Sequence, residues 1–356
     1  MYDFLTDIFG NQILAFFIAA ALPLFLFILP YALLAVLAER KVSAHMQDRL
    51  GPMRTGYHGI LQTVADILKL IQKEDIVANS IDKRLFNFAP YLVFMGSFAA
   101  FAVLPFSSFF MGSSIDIGLF YFLAVSSFVV AGILMGGWSS NNKYSLLGSM
   151  RSVSQIISYE IPTAIVVLTM VMLTSTLNLN TITNEQTAYF WNWNILGGSH
   201  PLIAKLLLIP LMIGAFIIIF ISTLAEVNRT PFDIPEAESE LVAGFFTEYS
   251  GMKFAMFFLA EYANMLAVSF LITVLFFGGY HSPFGYLGNT LGVEWLVPIE
   301  QAFWFAFKGL TFVIVQMWLR WTLPRLRVDQ LMTVCWKYLI PYSIAILLLV
   351  GLITLI

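Results

Sequence analysis

Eight stretches of this chain are apolar for about the 20 residues that a helix needs to cross a bilayer, more than a soluble core of 356 residues could bury. They are Ile13 to Leu37, Tyr91 to Met111, Ile117 to Gly137, Gln155 to Leu177, Leu202 to Ala225, Lys253 to Phe277, Ala302 to Trp321 and Tyr338 to Ile356. Composition agrees, because only 11% of the residues are charged where a soluble domain carries roughly 25%. The expected fold is an all-α polytopic membrane protein of about eight transmembrane helices, a single transmembrane domain over residues 1–356 without internal repeats. No cleavable leader is expected, since Asp3 and Asp7 stand where a signal or transit peptide needs Lys or Arg.

Charge then sets the orientation. Of the 18 Lys and Arg residues, all but Lys205 and Lys308 fall in alternate loops. The positive-inside rule puts those loops in the cytoplasm and both termini outside, in the periplasm if the membrane is a bacterial inner membrane. A formal net charge of −3 leaves no basic footprint for nucleic acid. One cysteine, Cys335, cannot form an internal disulfide or a Cys-ligated iron–sulfur or zinc centre, and the four histidines show no ligand spacing. No metal site is expected, and any redox metal belongs to another chain.

Two basic-side segments are unusual. The first cytoplasmic loop, residues 39–89, contains an amphipathic pattern, with Ile60, Leu61, Val64, Ile67, Leu68 and Ile71 opposite Gln62, Asp66, Lys69 and Lys73. It is too short and too charged to span, so a short interfacial helix on the membrane surface or under a partner is expected. The acidic loop, residues 226–252, holds Glu226, Asp233, Glu236, Glu238, Glu240 and Glu248 against the single cation Arg229 before Lys253, and Pro231 and Pro235 bend it. Two carboxylates about 6 Å apart at an effective dielectric of about 20 repel by about 3 kcal/mol, or about two pKa units. Such a cluster is expected to share protons near neutral pH. Its acids alternate with Phe232, Ile234, Leu241, Val242, Phe245 and Phe246, which reads as a buried wall rather than a wet loop.

Charges within spans need a reason, because an ionisable group at mid-bilayer costs about 2.5 to 3.5 kcal/mol on insertion scales. Glu261 lies eight residues past Lys253, about 12 Å into a core about 30 Å thick. Glu160 near Pro162, at the head of the fourth span, and Lys308 in the seventh are the other deep charges, with Glu39 and Glu226 at span ends. Such groups mark ion or proton paths or interhelical ion pairs.

Three blocks carry a resemblance. The run Glu39-Arg40-Lys41, Gln47-Asp48-Arg49-Leu50-Gly51-Pro52 and Leu61 to Asp66 is one. Leu224 to Asp233, Pro235 to Val242 and Glu248-Tyr249 to Glu261-Tyr262 form the second, and Arg151 to Gln155 with Ser158-Tyr159-Glu160 the third. Together they resemble the H-subunit (or subunit 1) family of proton-pumping NADH:quinone oxidoreductase, respiratory complex I, over essentially the whole chain. The resemblance implies a membrane-arm heel subunit walling a quinone chamber and coupling quinone reduction to proton translocation. It implies no redox centre and no covalent cofactor in this chain, with quinone as substrate and with FMN and iron–sulfur clusters in partner subunits. Its partners would be the peripheral-arm quinone-site subunits and the small membrane subunits beside it. Carried over by position, Glu160, Glu226, Glu248 and Glu261 would form the proton relay. Arg40, Arg49, Asp66, Arg229, Phe232, Asp233, Glu236, Glu238 and Glu240 would line the chamber.

Other readings stay open at this point. Heel subunits of membrane-bound hydrogenases and of F420- or ferredoxin-driven complexes are related, although the continuous acidic block favours the quinone-linked branch. A secondary transporter would need an inverted repeat with paired broken helices, and none is visible. A purely structural anchor for the peripheral arm would use the same charges for docking alone. No residue separates ubiquinone from menaquinone.

Overall fold

The structure is a computed structural model that describes residues 10, 11, 18, 27–112, 115–235, 238–288, 292–293 and 295–355, without the side chains of residues 238 and 239. Its helices are α1 (Leu29–Met46), α2 (Gln62–Gln72), α3 (Lys83–Ala99), α4 (Gly118–Ser139), α5 (Lys143–Thr174), α6 (Leu179–Glu185), α7 (Leu202–Glu226), α8 (Glu238–Leu241), α9 (Gly251–Phe276), α10 (Leu296–Thr322), α11 (Val328–Thr333) and α12 (Ile340–Thr354). Among the described residues seven helices are long and apolar enough to cross a membrane: α3 with the 3₁₀ turn that follows it, α4, α5, α7, α9, α10, and the rod from α11 through a π-helical turn to α12. The expected first span falls mostly outside the described residues, and only its end enters α1.

Span boundaries move from the expected ones for local reasons. The second span begins at Lys83 rather than Tyr91 because the Asp82 side chain caps α3 by accepting from the Arg84 N–H. It ends at Val103, and Pro105 instead pairs with Met111 in a short antiparallel bridge. The fourth span begins at Lys143, capped by Asn142. With 32 residues it is about 48 Å long, so Glu160 lies midway along α5 rather than at its head. The last span likewise starts at Val328, well before Tyr338.

Proline and glycine explain the close packing. Pro90 has no N–H to offer the Phe86 carbonyl one turn back, and Tyr249 donates its O–H to that oxygen at 3.2 Å. Pro162 likewise frees the Ser158 carbonyl, which accepts from the Cys335 thiol at 3.0 Å. The cysteine is thus more than a small hydrophobe. A Cβ on Gly132 would come within 2.4 Å of Val93 Cγ2, so this glycine lets α4 lie directly on α3.

Helix α9 is the hub. Its most apolar window is 78% buried, against 28% in α7 and 22% in the α11–α12 rod, which places α9 at the centre and the other two at the lipid-facing or partner-facing rim. Its C-terminal end is sealed by side chains: Gln186 takes the Val274 carbonyl, Asn194 that of Leu275, and Lys308 those of Phe277, Gly279 and His281 just beyond the helix. Lys308 also sits 4.2 Å from the Trp193 ring. The deep lysine is therefore held by carbonyls and an aromatic face, and pairs with no carboxylate among the described residues. Lys205 reaches Asn192 Oδ1 at 3.0 Å, near the same end.

Candidate functional site

Two polar groupings and one larger apolar cavity lie towards the end that carries the basic loops. In the first, Glu39 is buried on α1, and both its carboxylate oxygens accept from Arg229 Nη1, at 2.9 and 3.1 Å. It also accepts from Arg320 on α10 and, at 2.6 Å, from the Tyr262 hydroxyl on α9. Burial alone would push the Glu39 carboxyl up, but the two guanidiniums and the Tyr262 hydroxyl outweigh it and hold it below the usual carboxylate range. Arg229 lies 4.7 Å above the Tyr262 ring. Its Nε and Nη2 are buried without a hydrogen-bond partner among the described residues, as is Asp233 Oδ1. Asp233 Oδ2 accepts from Arg325 at 3.0 Å, yet burial keeps this carboxyl above its ordinary value.

The second grouping is the carboxylate pair of α7 and α9. Glu226 ends α7, and it lines two small cavities of about 30 and 20 Å³. Glu261 lines the second, and Asn264 on α9 lines both. A void needs about 10–15 Å³ of this measure to hold a water, so each has room for one or two. Glu160 on α5 stands near enough to Glu226 for their charges to interact.

The bend that aims Glu226 and Arg229 is held from α5. Gln155 is buried, and the two N–H groups of its Nε2 are shared among three acceptors, the Ala225 carbonyl (2.8 Å), the Phe232 carbonyl (2.9 Å) and Asn228 Oδ1 (3.1 Å). Asn228 turns the chain with φ of 53° and donates to Ser152 Oγ at 3.2 Å. The buried Phe232 ring packs edge-on against Tyr159 at 5.3 Å.

The larger cavity, about 310 Å³, is enclosed by α1, α2 and α9. Ala32, Val36, Ile67, Leu70, Phe258 and Leu259 give it apolar walls, and the Arg40–Asp66 ion pair stands at its edge. Gln62 steadies Asp66 by donating at 3.3 Å. Helix α2 forms as its pattern requires, with Val64, Leu68 and Ile71 exposed and free to meet lipid or a partner.

The expected site residues thus divide. Arg40 and Asp66 meet at the apolar cavity, Arg229, Phe232 and Asp233 lie in the buried bend, and Glu226 and Glu261 line a small cavity with Glu160, on α5, close enough to act on Glu226 by charge. Arg49 is exposed on a turn, bonded to Gln47 Oε1 at 2.7 Å. Glu248 accepts from Asn142 at 2.7 Å and lines neither small cavity. Glu240 is exposed and pairs with Arg151 at 2.7 Å, while Glu236 and the Glu238 side chain lie outside the described residues. Among the described residues the crowding expected of the acidic loop is not seen: Asp233, Glu240 and Glu248 each turn to a separate partner outside the loop. Arg320, Arg325, Tyr262, Asn264 and Gln155 complete the groupings, although neither pattern nor spacing singled them out as site residues. The one available signal was Glu39, a carboxylate at a span end that required a buried counter-charge.

Comparison with known proteins agrees with this architecture. A family model described as NADH dehydrogenase matches residues 19–351. The NADH-quinone oxidoreductase H subunit of Chlorobaculum parvum is 54% identical over 331 residues, covering 92% of this chain and 89% of that protein. Its counterpart in a Geobacillus species is 45% identical over 332 residues, 93% and 92% of the two chains. The counterpart in Brevibacillus brevis is 44% identical over 335 residues, 94% and 92%. A helical membrane bundle whose buried carboxylates lie near its basic end, matched along almost its whole length, therefore belongs to the NADH dehydrogenase family, that of the H subunit of NADH-quinone oxidoreductase.

Proposed function

We propose that this chain is the heel subunit of a proton-translocating NADH-quinone oxidoreductase, walling part of the quinone chamber and passing protons along buried glutamates. The observation that carries the reading is the pair of water-sized cavities that share Glu226 and Asn264 and extend to Glu261. Carboxylates separated by one or two waters can exchange a proton by short hydrogen-bond steps, and no metal or redox group of this chain is needed for that. Glu160, close to Glu226, continues the relay to another helix. Glu248, held by Asn142, would stand at its entrance.

The apolar cavity between α1, α2 and α9 suits an isoprenoid quinone arriving from the membrane. Its ring would travel past Arg40 and Asp66 towards Arg229 and Asp233, whose unspent donors and acceptor can bond a quinone carbonyl or the waters around it. Arg49, Phe232, Glu236, Glu238 and Glu240 complete the chamber wall in this reading, with peripheral-arm subunits closing the other side and supplying FMN and iron–sulfur clusters. The basic loops face the cytoplasm and the termini the periplasm, in a bacterial inner membrane. Residues 39–89 and 226–252 are the two loops that meet the quinone.

Glu261→Gln tests the relay. The expected result is an assembled complex with normal electron transfer from NADH to a soluble acceptor and strongly impaired coupled quinone reduction. Full proton pumping in that variant would remove Glu261 from the path.

A further inference from the structure

Gln155 on α5 supplies a side-chain donor to the bend that follows α7. Helix α7 stops at Glu226, and a bent segment leads on through Asn228, Arg229 and Phe232. The carbonyls of Ala225 and Phe232 face inward at this bend; that of Ala225 accepts from the Asn228 N–H at 3.2 Å, whereas that of Phe232 has no backbone donor among the described residues. One side-chain amide from the neighbouring helix serves both, together with Asn228 Oδ1, at 2.8, 2.9 and 3.1 Å. The arrangement is continued by Asn228, whose amide reaches Ser152 three residues before Gln155, so a single face of α5 grips the bend twice.

That face belongs to the helix that carries Glu160. Gln155 and Glu160 are five residues apart on α5, and the intervening Ile156 lines the same cavity as Glu226. Ala225, one of the groups gripped, immediately precedes Glu226. The amide therefore fixes the last turn of α7 against α5 at the height where the two carboxylates approach. It also fixes the start of the segment that delivers Arg229 to Glu39.

We propose that Gln155 is a positioning residue for proton transfer: by clamping the bend after α7 to α5 it sets the separation and aim of Glu226 relative to Glu160 and to the water-sized cavities beside it. The inference rests on the glutamate relay proposed above. A misplacement of about 1 Å at a reacting centre costs up to about a hundredfold in rate, and loss of all three bonds would allow the bend to move by that order.

Gln155→Leu keeps the side-chain bulk and removes the donors. In the assembled membrane complex we expect unchanged NADH oxidation by a soluble ruthenium acceptor and a quinone KM within about twofold. The kcat of quinone reduction is expected to fall about tenfold, with fewer protons pumped per quinone. The protonated-carboxyl band in redox-induced infrared difference spectra, assigned by its loss in Glu226→Gln, is expected to shift. An assembled Gln155→Leu complex with wild-type kcat, proton ratio and band position overturns the proposal. Should Gln155→Leu fail to assemble, Asn228→Gly is read in its place, since glycine keeps the left-handed turn and removes one acceptor of the clamp. A two- to threefold drop in kcat with a shifted band then supports the proposal, and wild-type values, or failure of this variant to assemble as well, overturn it in favour of a purely structural clamp. Full pumping in Glu226→Gln would instead refute the relay itself, which separates the two failures.

Discussion

Glu39 and Glu240 are both glutamates at the basic end of the bundle, and their surroundings give them opposite weights. Glu39 is buried with Arg229, Arg320 and Tyr262 converging on it. Removing it leaves the buried Arg229 guanidinium without its carboxylate and beside the half-buried Arg320, so Glu39→Ala is expected to cost about 3–5 kcal/mol, the penalty for an uncompensated buried charge. Glu240 pairs with Arg151 at the surface, where screening limits such a bond, and Glu240→Ala is expected to cost less than about 1 kcal/mol. Thermal unfolding of the two purified variant complexes checks the contrast. The sequence could mark Glu39 as needing a partner because it closes an apolar span. It could not supply that partner, since Arg229 and Arg320 lie 190 and 281 residues away and nothing local distinguishes them from other arginines.

At the scale of elements, the C-terminal end of α9 shows how a helix terminus in a membrane is closed. The His281 ring follows that end, its Nδ1 bonded to Tyr286 and its Nε2 buried without a partner among the described residues. Burial, reinforced by the Lys308 ammonium, lowers its pKa from 6.5 to about 4. The unfolded ring therefore takes up a proton at higher pH than the folded one. Stability of this end is full above about pH 6.5 and declines as the pH falls towards 4, by up to about 3 kcal/mol. Protection factors for hydrogen exchange across residues 278–288, taken against the intrinsic rate at each pH, are expected to fall between about pH 7 and 5, and His281→Gln to flatten that response. Element lengths were only partly legible beforehand. Hydropathy located each apolar stretch, but α3 and α5 extend past it because Asp82 and Asn142 cap them on the polar side, where an apolar window has already ended.

At the scale of the whole molecule, the two unusual loops converge. Arg40 and Asp66 from the first meet α9 at the apolar cavity, and the second delivers Arg229 to Glu39 on α1. A photoreactive quinone-site inhibitor is expected to label peptides within residues 39–89 or 226–252 of the assembled complex. Labelling confined to other subunits would favour a docking anchor over a chamber wall.

Bilayer residence, the order of the helices and the basic side of the bundle follow from the sequence by itself. Transfer free energy and loop charge accumulate residue by residue along the chain, so neighbours in sequence suffice to read them. Which carboxylates are gathered was decided only by the tertiary structure. The acidic loop reads as one crowded cluster, yet Asp233, Glu240 and Glu248 turn to Arg325 after α10, Arg151 on α5 and Asn142 at the N-terminus of α5. Glu226 instead shares a small cavity with Glu261 on α9 and interacts by charge with Glu160 on α5. Electrostatic and hydrogen-bond energies depend on distance through space, and in a bundle whose helices cross one membrane, residues far apart in the chain become the nearest neighbours.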